Sequence, residues 1–353
     1  MDTTLDRTAA RWPRLAAYAA GAWSLLYGGL GLFWALGGPG FPFGAGDVPD
    51  ARAESLLGDA TAAGTAPVIA ALGLAGALLS LVLARTRPRP WVRTAALAAA
   101  WGAAFTLVAL VPDARIMTAV GYAPIFLVGL PFGWPDADYF ALGFPWPVRN
   151  LLICVLGGLL WAAAALAFQR RTAGACESCG RSADRPATWT SPASAARWGR
   201  RAAYTAFVVP FFYSVVRWAW ALKIPLFFSE GGIRWLHETG LAWAGAGLAT
   251  FGALGGVLTL GLTQRWGERW PRWVLGLAGK RVPPAVPITS AALATVVLAS
   301  AGTEALRIMH WSNPSEWLVN PMAYWPIWAA ALGVATFGYY LRRRGRCRRC
   351  GLV

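Results

Sequence analysis

The chain has 353 residues, of which 57% are hydrophobic and only 14% charged. A soluble globular domain carries about 25% charged residues, so the composition excludes an ordinary water-soluble fold. The formal net charge of +16 raises the question of a nucleic-acid partner, which the placement of the charges answers.

Apolar stretches of roughly 20 residues, the length that carries a helix across a bilayer core, recur at 15–36, 61–84, 92–111, 148–168, 202–222, 241–262, 286–306 and 318–341. They predict an all-α integral membrane protein with eight transmembrane helices. The first stretch is too long for a signal-peptide core and has no small-x-small cleavage site, so it is kept as a helix. With the N-terminus placed in the cytoplasm, all but seven of the 32 Lys and Arg fall on cytoplasmic segments. The exceptions are Arg52, Arg115, Arg149, Arg217, Lys223, Arg234 and Arg307, and the outer side holds most of the acids. That asymmetry is the positive-inside rule. It predicts a multi-pass protein of a bacterial cytoplasmic membrane with both termini cytoplasmic. The basic balance then reports contact with the lipid bilayer and its anionic headgroups, and no nucleic acid is needed. Trp12, Trp91, Trp146, Trp198, Trp270, Trp273, Trp317 and Trp325 stand at segment ends, as an interfacial aromatic belt requires.

The chain also matches itself. "RWPRLAAYAAGAWSLLYGGLGLFWAL" (11–36) aligns without gaps on "RWGRRAAYTAFVVPFFYSVVRWAWAL" (197–222), pairing Arg11 with Arg197, Trp12 with Trp198 and Tyr18 with Tyr204. Further matches follow in the same order: Gly76-Ala77-Leu78 with Gly252-Ala253-Leu254, and Arg115-Ile116-Met117 with Arg307-Ile308-Met309. Two repeats are expected, 1–181 and 197–353, joined by a Pro/Ser/Ala-rich linker at 182–196. Four helices per repeat return the chain to its starting side. The repeats are therefore expected to be parallel, related by a pseudo-two-fold axis along the membrane normal.

Each repeat ends in Cys-x-x-Cys-Gly: Cys176, Cys179 and Gly180, then Cys347, Cys350 and Gly351. Such a turn presents two thiolates to one ion, and glycine accepts the positive φ that it needs. Two of them on one face supply the four sulfurs of a closed structural zinc site. Disulfide redox chemistry is the rival. It normally uses the N-terminus of a helix, whereas these motifs follow C-termini, where the dipole opposes a thiolate. Cys154, inside "LLICVLGG", reads as inert helix filler.

On the opposite side, Arg115, Arg217, His237, Glu304, Arg307 and His310 are candidate ligand-binding residues. Glu304, Arg307 and His310 share a helical face if their helix continues that far, and ionisable groups at that depth mark a site by default. The competing reading is ordinary wet loops and helix-end residues that snorkel. "ERWPRWVLGLAGKRVPP" (268–284) reads as an interfacial segment with basic and tryptophan anchors.

"AAYAAGAWSLLYGGLGLFWALGG" and "RWPRWVLGLAGKRVPP" resemble segments of uncharacterised actinobacterial polytopic integral membrane proteins. The resemblance implies a membrane fold, and it carries no known activity and no functional residue. Three roles remain open: binding or transport of a small molecule or ion between the repeats, a scaffold or regulator that meets a protein partner through its cytoplasmic cysteine turns and basic tail, and a membrane enzyme using the outer His, Glu and Arg. The helix centres are nearly free of charge, which argues against coupled proton or sodium transport.

Overall fold

The computed structural model describes residues 3–133, 138–182, 188–274, 276–309 and 320–352. These are helical, with no strand among them and one isolated bridge, between Arg269 and Arg281. Among the described residues, seven helices are long and apolar enough to cross a membrane: Trp12–Ala35, Ala62–Arg85, Pro90–Leu110, Arg115–Phe132, Trp146–Thr172, Leu241–Leu260 and Ala285–Ile308. Most of their side chains lie at the surface of the bundle. Leu26, Leu72 and Leu258 are exposed, an arrangement that hydrocarbon tolerates and water does not.

The chain forms two compact units, Met1–Pro186 with Gly345–Val353, and Ala187–Arg344. The first unit is thus built from both ends of the chain. This differs from a simple division into 1–181 and 197–353, because the last cysteine turn folds with the first unit. The expected linker is also shorter, since a helix capped by the Ser191 side chain begins at Pro192.

In the first unit, α1 (Thr3–Ala35) packs between α2 (Ala62–Arg85) and α6 (Trp146–Thr172), and α6 also packs on α3 (Pro90–Phe105). Small residues set the spacing. At the α1–α2 crossing a Cβ on Gly73 would stand 2.4 Å from the Gly28 Cα, so only paired glycines permit this approach. Alanines of α1, α2, α3 and α6 fill the shared core, with Trp161 and Phe168 as its large members. Indole and phenol donors then bind across helices: Trp161 Nε1 to Ser24 Oγ at 3.2 Å, Trp23 Nε1 to the Ile153 carbonyl at 3.0 Å, and Tyr27 Oη to Asn150 Oδ1 at 3.0 Å. Cys154 is buried beside Tyr27, consistent with a packing role.

Arg93 Nε donates to Thr172 Oγ1 at 2.7 Å, which joins the start of α3 to the end of α6. At the other end Trp146 Nε1 donates to the Gly40 carbonyl at 2.7 Å, joining the start of α6 to the chain leaving α1. The segment between α3 and α6 therefore leaves from and returns to one end of the unit. It contains α4 (Arg115–Gly129) and α5 (Tyr139–Gly143), and Tyr139 Oη donates to the Ala119 carbonyl at 2.6 Å. The sequence reading had no helix here. α4 follows a short π-helical turn, Thr106–Leu110.

That end is fixed by a buried ion cluster. Arg115 lies 2.6 Å from both Asp47 and Asp113, and its guanidinium donates to both oxygens of each carboxylate. Both aspartates are buried. Two carboxylates held out of water need this one cation.

In the second unit, α7 (Pro192–Ala221) packs between α9 (Leu241–Leu260) and α11 (Trp325–Arg343), and α11 also packs on α10 (Ala285–Ile308). The segments at 202–222 and 318–341 thus lie largely in helices, α7 and α11. Their arginines, tryptophans and tyrosines keep both out of the seven. α8 (Glu230–Glu238) is a short amphipathic helix that buries Ile233 and Leu236. The 268–284 segment contains a turn, with the Trp270 N–H on the Lys280 carbonyl and the Val282 N–H on the Glu268 carbonyl, each at 3.0 Å. Trp325, expected in the aromatic belt, is buried edge-on against Tyr213. Trp317 lies outside the described residues.

Replacing Arg115 with alanine is expected to cost about 3–5 kcal/mol, because it leaves two buried carboxylates uncompensated. Thermal unfolding in detergent reads this loss, and exposed Arg149→Ala is the control, within about 0.5 kcal/mol of wild type. Equal stability of the two variants would contradict the cluster's role.

Candidate metal centre

Four cysteines of the first unit converge. The sulfurs of Cys176, Cys179, Cys347 and Cys350 all lie within 4.8 Å of one another. Cys176 Sγ is 3.9 Å from Cys347 Sγ, and Cys179 Sγ is 3.5 Å from Cys350 Sγ. Metal–sulfur bonds of about 2.3 Å in a tetrahedron give sulfur–sulfur edges of about 3.8 Å. The two separations bracket that value, and all four thiols are free. The group can hold a metal ion.

The two turns are built alike. The Gly180 N–H donates to the Cys176 carbonyl at 2.7 Å, and the Cys176 N–H to the Arg181 carbonyl at 2.8 Å. In the tail, the Gly351 N–H donates to the Cys347 carbonyl and the Cys347 N–H to the Leu352 carbonyl, both at 2.9 Å. Gly180 and Gly351 have φ of +75° and +73°, the left-handed conformation that a side chain would strain. The N–H groups of Cys350 and then Arg349 bring the Cys347 thiol down to about 6, against its burial. Burial pushes Cys179 up to about 12. Backbone N–H groups thus favour the thiolate of Cys347, and burial opposes that of Cys179.

Arginines lock the arrangement through carbonyls. Arg181 Nη1 donates to the Gly345 and Leu352 carbonyls, both at 3.0 Å, which ties the first turn to the tail. Arg170 donates to the Glu177 and Ser178 carbonyls and lies over the Trp12 ring. Arg346 Nε donates to the Gly351 carbonyl, and Arg349 pairs with Glu177 at 3.1 Å. Arg171 caps the open C-terminal end of α2 through the Leu83, Ala84 and Thr86 carbonyls. In the second unit Arg342 donates to the Leu262 carbonyl, Arg342 and Arg343 pair with Glu268, and Arg344 reaches the Thr190 carbonyl.

The other candidate residues are dispersed. Arg115 is held in the first unit by Asp47 and Asp113, two partners that no motif announces. In the second unit Arg217 and His237 meet around Trp220. The Arg217 guanidinium lies 5.1 Å from the Trp220 ring centre and donates from Nε to Tyr213 Oη at 2.9 Å. His237 donates from Nε2 to the Trp220 carbonyl at 3.0 Å. Glu304 is buried near the end of α10, and Arg307 lies in its last turn. α10 stops at Ile308, and His310 lies outside the described residues. Compared with known proteins, the chain matches no family model, no curated sequence and no solved structure.

Arg181→Ala removes the link from the first turn to the tail. Trypsin is then expected to cut after Arg346, Arg348 or Arg349 several-fold faster than in the wild type. An unchanged cleavage rate would show that Arg181 does not hold the tail.

Proposed function

We propose that the protein is a membrane scaffold or regulatory protein whose cytoplasmic face is organised by a structural zinc ion. The ion sits on Cys176, Cys179, Cys347 and Cys350 and fastens the end of the chain to the first helical unit. The convergence of four sulfurs from two distant motifs carries this reading. Zinc suits an all-thiolate tetrahedron with no position left open, the mark of a structural rather than catalytic centre. The carbonyl-bound arginines and the N–H groups aimed at Cys347 supply the outer support that such ligands use.

The proposal includes eight crossings in two parallel repeats. The neighbour order α2–α1–α6–α3 in one unit and α9–α7–α11–α10 in the other supports it. So does the position of Arg342, which follows Arg171 at the same spacing of 171 residues as the paired cysteines. Each caps carbonyls at the end of the second long helix of its unit. Tyr27 and Tyr213 fall at matched positions of α1 and α7, and both are buried. Because α4 and α5 leave and return at one end, four crossings per repeat are retained. The excess of Lys and Arg at the cysteine side favours a cytoplasmic assignment for it.

A second reading, small-molecule or ion binding on the outer side, draws support from the meeting of Arg217 and His237 around Trp220. Arg115 adds less to it, since two carboxylates already surround that guanidinium.

Purified protein is expected to hold about one zinc per chain, and Cys347→Ser to lose it. Less than half an equivalent, unchanged by that substitution, would end the zinc proposal. Removing 345–353 should leave the helical circular dichroism intact and abolish cross-linking to partners in native membranes. Undiminished cross-linking would shift the function to the outer side.

A further inference from the structure

Beside the cysteine turns, at the same end of the first unit, a cleft of about 710 Å³ opens between the start of α1, the end of α2 and the end of α6. Arg14, Arg85, Arg87, Arg171 and Arg349 line it, against Glu177 as the one acid. Two of these cations are already committed. Arg171 caps α2, and Arg349 is paired with Glu177. Arg85 touches the Tyr18 hydroxyl at 3.4 Å, a neutral partner. Arg14, Arg85 and Arg87 are exposed, and none forms an ion pair with a carboxylate among the described residues.

We infer that this cleft binds a phosphate-bearing anion. Several guanidinium groups forced to share one concavity repel each other, and a ligand of high charge density relieves that repulsion. Guanidinium forks match phosphate oxygens two at a time. The cleft lies where three membrane-length helices, Trp12–Ala35, Ala62–Arg85 and Trp146–Thr172, begin or end. That is the depth of lipid phosphates, and basic pockets between helix ends hold multiply charged headgroups. A soluble phosphoryl compound offers the same chemistry from the aqueous side. Glu177 and Arg349 belong to the two cysteine turns, so the cleft borders the metal centre. Its arginine wall of Arg14, Arg85 and Arg87 does not depend on the metal.

The test uses the full-length protein in an uncharged detergent, comparing wild type with the double variant Arg14→Gln/Arg87→Gln. Thermal stabilisation is titrated with diphosphatidylglycerol, with phosphatidylethanolamine as a net-neutral lipid, and with inorganic pyrophosphate. Diphosphatidylglycerol is expected to stabilise the wild type, with an affinity about thirty-fold lower in the double variant. Phosphatidylethanolamine should have no effect. Stabilisation by pyrophosphate alone, lost in the variant, would assign the site to a soluble phosphoryl ligand and uphold the phosphate chemistry. Equal affinity of both proteins for both anions would overturn the inference. The zinc content of the same samples separates this outcome from a failure of the metal proposal. The unliganded melting temperature of the double variant shows that it is folded.

Discussion

Four sulfurs gathered within 4.8 Å set a constraint on everything around them. As thiolates they would repel one another strongly, and as thiols they are poor hydrogen-bonding partners with little reason to meet. A divalent cation bound there would exchange mutual repulsion for four short bonds. The local backbone is arranged accordingly. Left-handed glycines close both turns, N–H groups point at Cys347, and Arg181 bridges one turn to the other through carbonyl oxygens. Because Cys347 and Cys350 come from the far end of the chain, closing this site also closes a loop. In the sequence, residues 187–344, the second unit, lie between the two cysteine turns.

One helix end in each unit follows the same logic of satisfying the backbone. The last four carbonyls of a helix lack partners within the helix, and at a membrane boundary they need donors. Arg171 provides them for α2, and Arg342 reaches the Leu262 carbonyl just past α9. A long cation suits the negative end of a helix dipole while its stem stays against apolar side chains. At the opposite end of the first unit the problem is inverted. Asp47 and Asp113 are buried carboxylates, and Arg115 is their cation.

Much of this was legible in the sequence. Twenty-residue apolar runs locate α2, α6, α9 and α10 to within a few residues, together with the end of α1 and the start of α3, because hydropathy and length are the quantities a bilayer selects. The Cys-x-x-Cys-Gly pairs named the four sulfurs that the structure brings together. Other features depend on tertiary contacts and leave no periodic trace. α4 is apolar enough to read as a span, yet only the Trp146 and Tyr139 contacts reveal that the chain returns to its starting end. Asp47 lies 68 residues from Arg115, and nothing local connects them. The membership of Gly345–Val353 in the first unit follows from the cysteine geometry itself, which no linear count of repeats contains.

Zinc K-edge X-ray absorption on the intact, detergent-purified protein tests the central claim most directly. The account predicts a zinc ion with four sulfur neighbours at about 2.3 Å and no nitrogen or oxygen ligand. Absence of bound metal, or a shell containing nitrogen or oxygen, would contradict it.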